Sequence, residues 1–257
     1  MKELVILGPP GSGKTSLFRA LLAAKKDLIG VDANLECPPE GLEIVDQEPF
    51  KVPVPLRNYM ICAGCALCQK SCPFGAIYEE DLWIDPLECE GCGLCVKNCP
   101  NQALQLANMQ IGELCEAQGE GGKLLFARLL PGAKGAPRLV KGLREKAKKM
   151  GPFVLDTPPY YGEFLAYALE GAEGVLLILT PEEGASYLLG RVLNLAPRAK
   201  MLVLLNKFAS EEDKERLKKE LSAKGLQAVG EIPLSSPEEF EASLKAWAPS
   251  FLELANL

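Results

Sequence analysis

Two matching runs of cysteine constrain this chain more than any other feature of its sequence. Each run follows the pattern Cys-x2-Cys-x2-Cys-x3-Cys-Pro, and together they hold eight of the ten cysteines. The eight are Cys62, Cys65, Cys68, Cys72, Cys89, Cys92, Cys95 and Cys99. Because they are so concentrated, we predict a small separate domain at residues 57–106.

The spacing within each run is typical of ligands for [4Fe–4S] clusters, as in two-cluster bacterial ferredoxins. Three closely spaced thiolates can bind three corners of one Fe4S4 cube, while the cysteine before proline completes the other cube. Cluster 1 then takes Cys62, Cys65, Cys68 and Cys99, and cluster 2 takes Cys89, Cys92, Cys95 and Cys72. Two structural zinc sites are the alternative, although zinc gives no reason for two matching runs that end in Cys-Pro.

The composition limits the metal sites and catalytic mechanisms that are possible, because the sequence contains no histidine. This excludes His-bound zinc, Ser-His-Asp or Cys-His catalysis and Rieske-type iron ligation. The net charge of −6 argues against a nucleic-acid partner. No apolar run approaches the ~20 residues of a membrane span. Since we find no secretory signal, we expect reduced thiols and a cytoplasmic location.

Outside the cysteine-rich segment, short apolar runs alternate with helical patterns. Strands are expected at residues 4–7, 28–31, 153–155, 174–179 and 201–205. Capping boxes that begin at Ser210 and Ser236 mark two later helices. Continuous apolar strands between helices predict an α/β fold with a mostly parallel sheet. We therefore assign residues 1–56 and 107–257 to one α/β domain, interrupted by a small α+β, ferredoxin-like domain.

A glycine-rich loop follows the first of these strands and precedes a helix. Residues 8–15 read Gly-Pro-Pro-Gly-Ser-Gly-Lys-Thr, the P-loop pattern of NTPases in its required position. The backbone N–H groups and the helix start bind phosphates, Lys14 reaches the β- and γ-phosphates, and Thr15 can hold Mg²⁺. The predicted nucleotide-binding residues are Gly8, Gly11, Ser12, Gly13, Lys14, Thr15 and Ser16. The alternative is a turn that carries Gly-Lys-Thr by chance.

Two aspartates follow apolar strands, where a P-loop NTPase places the groups that position magnesium and water. Taken alone, Asp32 or Asp156 would be an ordinary helix cap or turn residue. Beside a P-loop, we expect both to act in catalysis together with Lys14. Asn206 and Lys207 follow a later strand, and we expect this pair to contact the base edge. Because Ala209 leaves the Asn-Lys-x-Asp guanine signature incomplete, we expect ATP or ADP with Mg²⁺.

These motifs together resemble P-loop ATPases of the MinD/ParA type with an inserted ferredoxin domain, over nearly the whole chain. Residues 32–38 are similar to the family's Asp-x-Asp-Val-Glu-x-Pro segment, and residues 155–159 to its Asp-x-Pro-Pro-Gly switch. Residues 174–181 are similar to its next strand and Thr-x-Pro turn. The resemblance implies a homodimer that changes shape with nucleotide state, as in the nitrogenase iron protein and metallocluster-assembly ATPases.

Three positions depart from the family pattern. Pro9 replaces a signature lysine that reaches the partner's nucleotide, Asn34 replaces the second aspartate, and Tyr160 replaces the switch glycine. We therefore expect ATP binding with slow ATPase turnover.

The sequence leaves three functions open. In the first, nucleotide state is coupled to electron transfer through two clusters to a redox partner protein. In the second, the chain assembles or delivers a metallocluster to a client, with Cys37 and Cys115 as transient ligands. In the third, it is a nucleotide and redox switch without turnover. Acidic residues outnumber basic ones in residues 57–106, which favours a low reduction potential.

Overall fold

Nine strands form one sheet in the computed structural model of the chain, within its described residues. The structure describes residues 2–34, 42–86, 88–119, 122–133, 135–159, 163–181 and 184–257. The strands are β1 Glu3–Leu7, β2 Ile29–Asp32, β3 Glu43–Arg57, β4 Leu104–Gly119, β5 Gly122–Leu129, β6 Phe153–Asp156, β7 Gly174–Leu179, β8 Lys200–Phe208 and β9 Ala228–Pro233. Their order is β3-β4-β5-β2-β6-β1-β7-β8-β9.

Helices occupy most of the connections between strands. They are α1 Lys14–Ala24, α2 Leu67–Lys70, α3 Leu94–Lys97, α4 Ala136–Met150, α5 Glu163–Leu169, α6 Ala185–Leu195, α7 Glu211–Ser222 and α8 Pro237–Ala255. The side chains of Ser210 and Ser236 cap α7 and α8 by accepting backbone N–H bonds, and the reciprocal bond of a full capping box is present at Ser236. Across the described part of the chain, every helix is too short or too polar to cross a bilayer.

Parallel pairing dominates the sheet. β1 pairs with β6 and β7, β2 with β5 and β6, and β8 with β7 and β9, all in parallel. Strands β1, β6 and β7 are buried along their whole length, which explains their continuous apolar sequences. The predicted fold class, a mostly parallel α/β sheet, is confirmed.

One large apolar cluster joins α1 and α8 to the sheet. Leu17 and Leu21 of α1 and Phe251 of α8 pack with Ile6 and Leu204, and all five side chains are fully buried. Burying a large apolar side chain stabilises the fold by about 1.5–3 kcal/mol, so this cluster holds α1 against the sheet. The start of α1 is therefore held beside the end of β1.

The described chain divides into two compact units. The first contains residues 1–47, 114–127 and 137–257, and the second contains residues 48–113 and 128–136. We call them the nucleotide unit and the cysteine unit. Strands β3 and β4 contribute residues to both units, so the chain crosses from one to the other within regular strands. The predicted boundaries at 56/57 and 106/107 remain a prediction.

A buried ion pair ties α4 to the first strand of the nucleotide unit. Arg144 Nε lies 2.6 Å from Glu3 Oε1, and both side chains are almost fully buried. The same guanidinium donates to the carbonyl oxygens of Tyr167 and Glu170 at the end of α5. Arg144 therefore links three elements that are distant in sequence.

Replacing Arg144 with leucine should lower the free energy of unfolding of this unit by about 3 kcal/mol, because Glu3 loses its closest partner inside the protein. Chemical denaturation followed by circular dichroism measures the loss. Lys141→Leu is the matched control, since it breaks only an exposed contact with Glu170 and should cost less than about 1 kcal/mol. Equal losses in the two variants would contradict the assigned role of Arg144.

Candidate functional site

The loop between β1 and α1 contains the predicted phosphate-binding residues. Gly13 has φ 94°, and a Cβ there would lie 2.5 Å from Phe240 Cζ, so both backbone and packing require glycine. Lys14 Nζ donates to the carbonyl oxygens of Gly8 and Pro9, at 2.9 Å each. Burial lowers the pKa of Lys14, and the carboxylate of Asp156 opposes this shift. The ammonium group is thus already held at the loop that would receive phosphates.

A cavity of about 500 Å³ lies against this loop. Loop and helix residues 11–16 line one part of it, and Pro233, Leu234 and Phe240 line another. The volume lies in the usual range for small-molecule sites. Ser12 Oγ is buried and has no hydrogen-bond partner among the described residues. The cavity therefore combines a phosphate-binding loop with an apolar wall suited to a base.

The two predicted carboxylates lie behind Thr15 and Asn34, two residues that line this cavity and donate hydrogen bonds to them. Asp32 and Asp156 are register partners at the ends of β2 and β6. Thr15 Oγ1 donates to Asp156 Oδ2 at 2.7 Å. Burial raises the pKa of Asp156 to about 6; the hydrogen bond from Thr15 opposes this rise and the nearby charge of Asp32 adds to it. These two aspartates and Thr15 form an oxygen-rich group.

This group fits Mg²⁺. Asp156 Oδ1 is buried and accepts no hydrogen bond from any described residue, so it can bind a metal ion or its water. Thr15 and the two aspartates supply the oxygen ligands that Mg²⁺ prefers. They would hold the metal where it can neutralise phosphate charge.

Asn34 has a role that the sequence did not reveal. Its side-chain Nδ2 donates to Asp32 Oδ1 at 2.6 Å and to Asp156 Oδ2 at 3.3 Å. A neutral amide thereby offsets the repulsion between two carboxylates. Because asparagine replaces the second aspartate of the Asp-x-Asp pattern, position 34 supplies a hydrogen-bond donor where an aspartate would add a third negative charge.

Asn206 and Lys207 hold the loop from the far side. Asn206 is fully buried and its Nδ2 donates to the carbonyl oxygen of Ser12 at 2.7 Å. Lys207 Nζ donates to the carbonyl oxygen of Gly11 at 2.6 Å and lines the cavity. The contact between Asn206 and the base remains a prediction. The sequence had singled out Lys207 together with Asn206, but as a contact to the base and not to the loop backbone.

The eight clustered cysteines line two separate cavities in the cysteine unit. Cys62, Cys65, Cys68 and Cys99, here called quartet 1, line the first. Cys72, Cys89, Cys92 and Cys95, here called quartet 2, line the second. These are the two sets that the crossed assignment predicts, each with its fourth cysteine from the other run. Their role as iron ligands remains a prediction.

Both cysteine runs adopt similar local structures. Short helices α2 and α3 carry Cys68 and Cys95, and each follows a residue with positive φ, Ala66 at 56° and Gly93 at 74°. The two cysteines pack with Ile77 and Leu104 in the core of the unit. The repeat in the sequence therefore becomes a repeat in structure.

The thiols of quartet 2 surround one cavity and influence one another electrostatically. Burial, with a smaller contribution from the neighbouring Cys89, Cys92 and Cys72, raises the pKa of Cys95 to about 11. Deprotonated thiols crowded in this way would be stabilised by a positive metal centre between them. In the described ranges, no three or more Cys, Asp or Glu side chains group closely enough to hold a single metal ion.

The remaining candidate residues fall into two classes. Cys115 is fully buried with Ala117 and Phe126, so solvent does not reach its thiol and transient ligation is disfavoured. Cys37, with the rest of residues 35–38, lies outside the described residues, as does Tyr160.

Comparison with known proteins bears on the fold of the chain and on its second cysteine run. Residues 82–105 match the family model of a 4Fe-4S binding domain. Among solved structures, the chain is similar to the septum site-determining protein MinD of Pyrococcus horikoshii with Mg-ADP, at 16% identity and TM-score 0.53, over 99% of this chain and 97% of that one. No curated protein matches the sequence.

Two further structures show the same fold. A chain of the MinC:MinD cell division complex of Aquifex aeolicus has TM-score 0.52 at 15% identity, over 98% of this chain and 96% of that one. The cobyrinic acid a,c-diamide synthase of Mycobacterium smegmatis with ADP and magnesium has TM-score 0.51 at 14% identity, over 98% and 94%. The chain thus has the fold of MinD/ParA-type P-loop ATPases and carries a 4Fe–4S binding domain, as the sequence predicted.

Replacing Lys14 with alanine should abolish ATP binding, since this side chain supplies positive charge to the phosphates and also holds the loop carbonyls. Calorimetry with Mg-ATP measures the affinity. Lys26→Ala is the matched control, because it removes the same charge from an exposed position just after α1. Unchanged affinity in the Lys14 variant would remove the nucleotide assignment.

Proposed function

We propose that the chain is an ATP-binding iron–sulfur protein in which nucleotide state is coupled to electron transfer through two [4Fe–4S] clusters. One observation carries the proposal. A P-loop cavity and two cysteine quartets occur in one polypeptide, and strands β3 and β4 run uninterrupted through residues of both units. The proposal places the chain in the cytoplasm, with a redox protein as partner and a homodimer as the nucleotide-dependent form.

The nucleotide part of the proposal is supported by the fit of Mg-ATP to the cavity. Lys14 and the loop N–H groups would bind phosphates, Thr15 with Asp32 and Asp156 would hold Mg²⁺, and Phe240 offers an apolar face to the base. Relatives of the same fold were solved with ADP and magnesium. Adenine is favoured because Ala209 supplies no carboxylate for guanine.

The iron part is supported by the two quartets. Each offers four thiols around its own cavity, and backbone N–H groups already point at sulfur. Gly91 N donates to Cys89 Sγ at 3.4 Å, and Ala103 N donates to Cys99 Sγ at 3.3 Å. Such N–H···S contacts stabilise cluster ligands. One [4Fe–4S] cluster per quartet supplies one-electron redox chemistry.

Protein purified without oxygen should therefore contain about eight irons per chain. Replacing Cys99 with serine should damage the cluster of quartet 1, although this residue belongs to the second run in the sequence. Iron analysis and electron paramagnetic resonance measure both effects. Cys115→Ser is the control and should retain all iron. Stoichiometric zinc, or damage confined to quartet 2, would contradict the crossed assignment.

Coupling between the two parts has a covalent route. β3 begins at Glu43, soon after Asp32, and ends at Arg57, whose Nη2 lies 3.4 Å from Cys68 Sγ. Nucleotide-dependent movement that displaces β3 would therefore act on quartet 1 through Arg57. A ligand shifts an equilibrium only if it binds the two states with different affinities.

Because coupling is reciprocal, ATP should shift the reduction potentials, and reduction should change the affinity for ATP. Each tenfold difference in affinity corresponds to about 59 mV for a one-electron couple. Redox titrations of wild type and Lys14→Ala, each with and without Mg-ATP, measure the shift, which only wild type should show. Identical potentials in all four samples would contradict coupling and favour the cluster-delivery function.

A further inference from the structure

The two cysteine quartets differ in the charged side chains that line their cavities. Arg57 lines the cavity of quartet 1, and Glu90 lines the cavity of quartet 2. The two cysteine runs have the same spacing, and each quartet receives a backbone N–H···S contact. The two sites are therefore similar in their thiols and differ in the charge of the side chain beside them.

Arg57 is placed to act on quartet 1. Its Nη2 donates to Cys68 Sγ at 3.4 Å, and its Cζ lies 5.8 Å from the ring centre of Tyr59. Its Nε is buried and has no hydrogen-bond partner among the described residues. A buried N–H donor beside four thiols fits an anionic sulfur acceptor, which an iron–sulfur cluster would supply.

We infer that Arg57 and Glu90 make the quartets unequal, giving quartet 1 the higher reduction potential and directing the first electron there. This inference rests on the proposed pair of [4Fe–4S] clusters. Reduction adds one negative charge to a site that is already anionic. A guanidinium that donates to a ligand sulfur stabilises that added charge, and an acidic side chain beside the other site opposes it.

Burial strengthens the effect of Arg57 on the reduction potential of quartet 1 and that of Glu90 on the potential of quartet 2. Cys68 and Cys95 are buried at 8% and 7% exposure, so charges beside them are poorly screened by water. By contrast, Lys70 is only two residues beyond Cys68 but is exposed at the end of α2. Arg57 therefore helps to direct the first electron to quartet 1, whereas the exposed charge of Lys70 has little effect on the reduction potential.

The experiment is a redox titration of the whole chain, loaded with both clusters and poised with dithionite and viologen mediators. Electron paramagnetic resonance follows the reduced sites. In wild type, quartet 1 should be favoured at least tenfold for the first electron, which separates the two one-electron waves by about 59 mV or more. Arg57→Gln should lower the higher wave and leave the lower one in place.

Three further variants complete the test. Glu90→Gln should raise the lower wave only, Arg57→Lys should retain most of the separation, and Lys70→Gln should move neither wave. If the Arg57→Gln variant does not assemble a cluster in quartet 1, the shift of the lower wave in Glu90→Gln decides whether the inference holds. Coincident waves in wild type, or an unmoved higher wave in loaded Arg57→Gln, would overturn the inference. An iron content well below eight in wild type would instead contradict the proposed function.

Discussion

The nucleotide unit depends on three adjacent parallel strands that end at the same level. β1 is paired to β6 and β6 to β2, and Asp156 lies in register with both Ile6 and Asp32. Because the carboxyl ends of parallel strands share one edge, both aspartates lie there, and Thr15 at the start of α1 contacts Asp156. This arrangement buries Asp156 beside a second carboxylate. Burial, and to a smaller extent the charge of Asp32, raises the pKa of Asp156 to about 6. Donors from Thr15 and Asn34 offset part of that cost.

The cysteine unit builds part of its core from thiols. One buried cluster contains Cys68, Ile77, Cys95 and Leu104, so half of its fully buried residues are cysteines. A small apolar core contributes little stability, and small domains commonly add metal ligation for this reason. Since burial raises the pKa of Cys95, positive metal charge and folding should support each other.

The long strands β3 and β4 were not predicted from the sequence, which indicated only domain boundaries at 56/57 and 106/107 in these regions. β3 contains three prolines, Pro49, Pro53 and Pro55, and most of its residues are exposed. Proline is tolerated mainly at sheet edges, and β3 stands first in the order of strands. The segment therefore forms a strand because it lies at the edge of the sheet, and the local sequence pattern does not reveal that position.

The sequence by itself determined the class of fold, the phosphate-binding loop and the two sets of cysteines, because each depends on the spacing of neighbouring residues. Tertiary structure alone decided which distant side chains meet. It placed Asn206 and Lys207 against the loop and Arg57 beside Cys68. These contacts depend on strand order and on where β3 ends. Local periodicity reports which side of an element is buried, but it does not report which partner covers it.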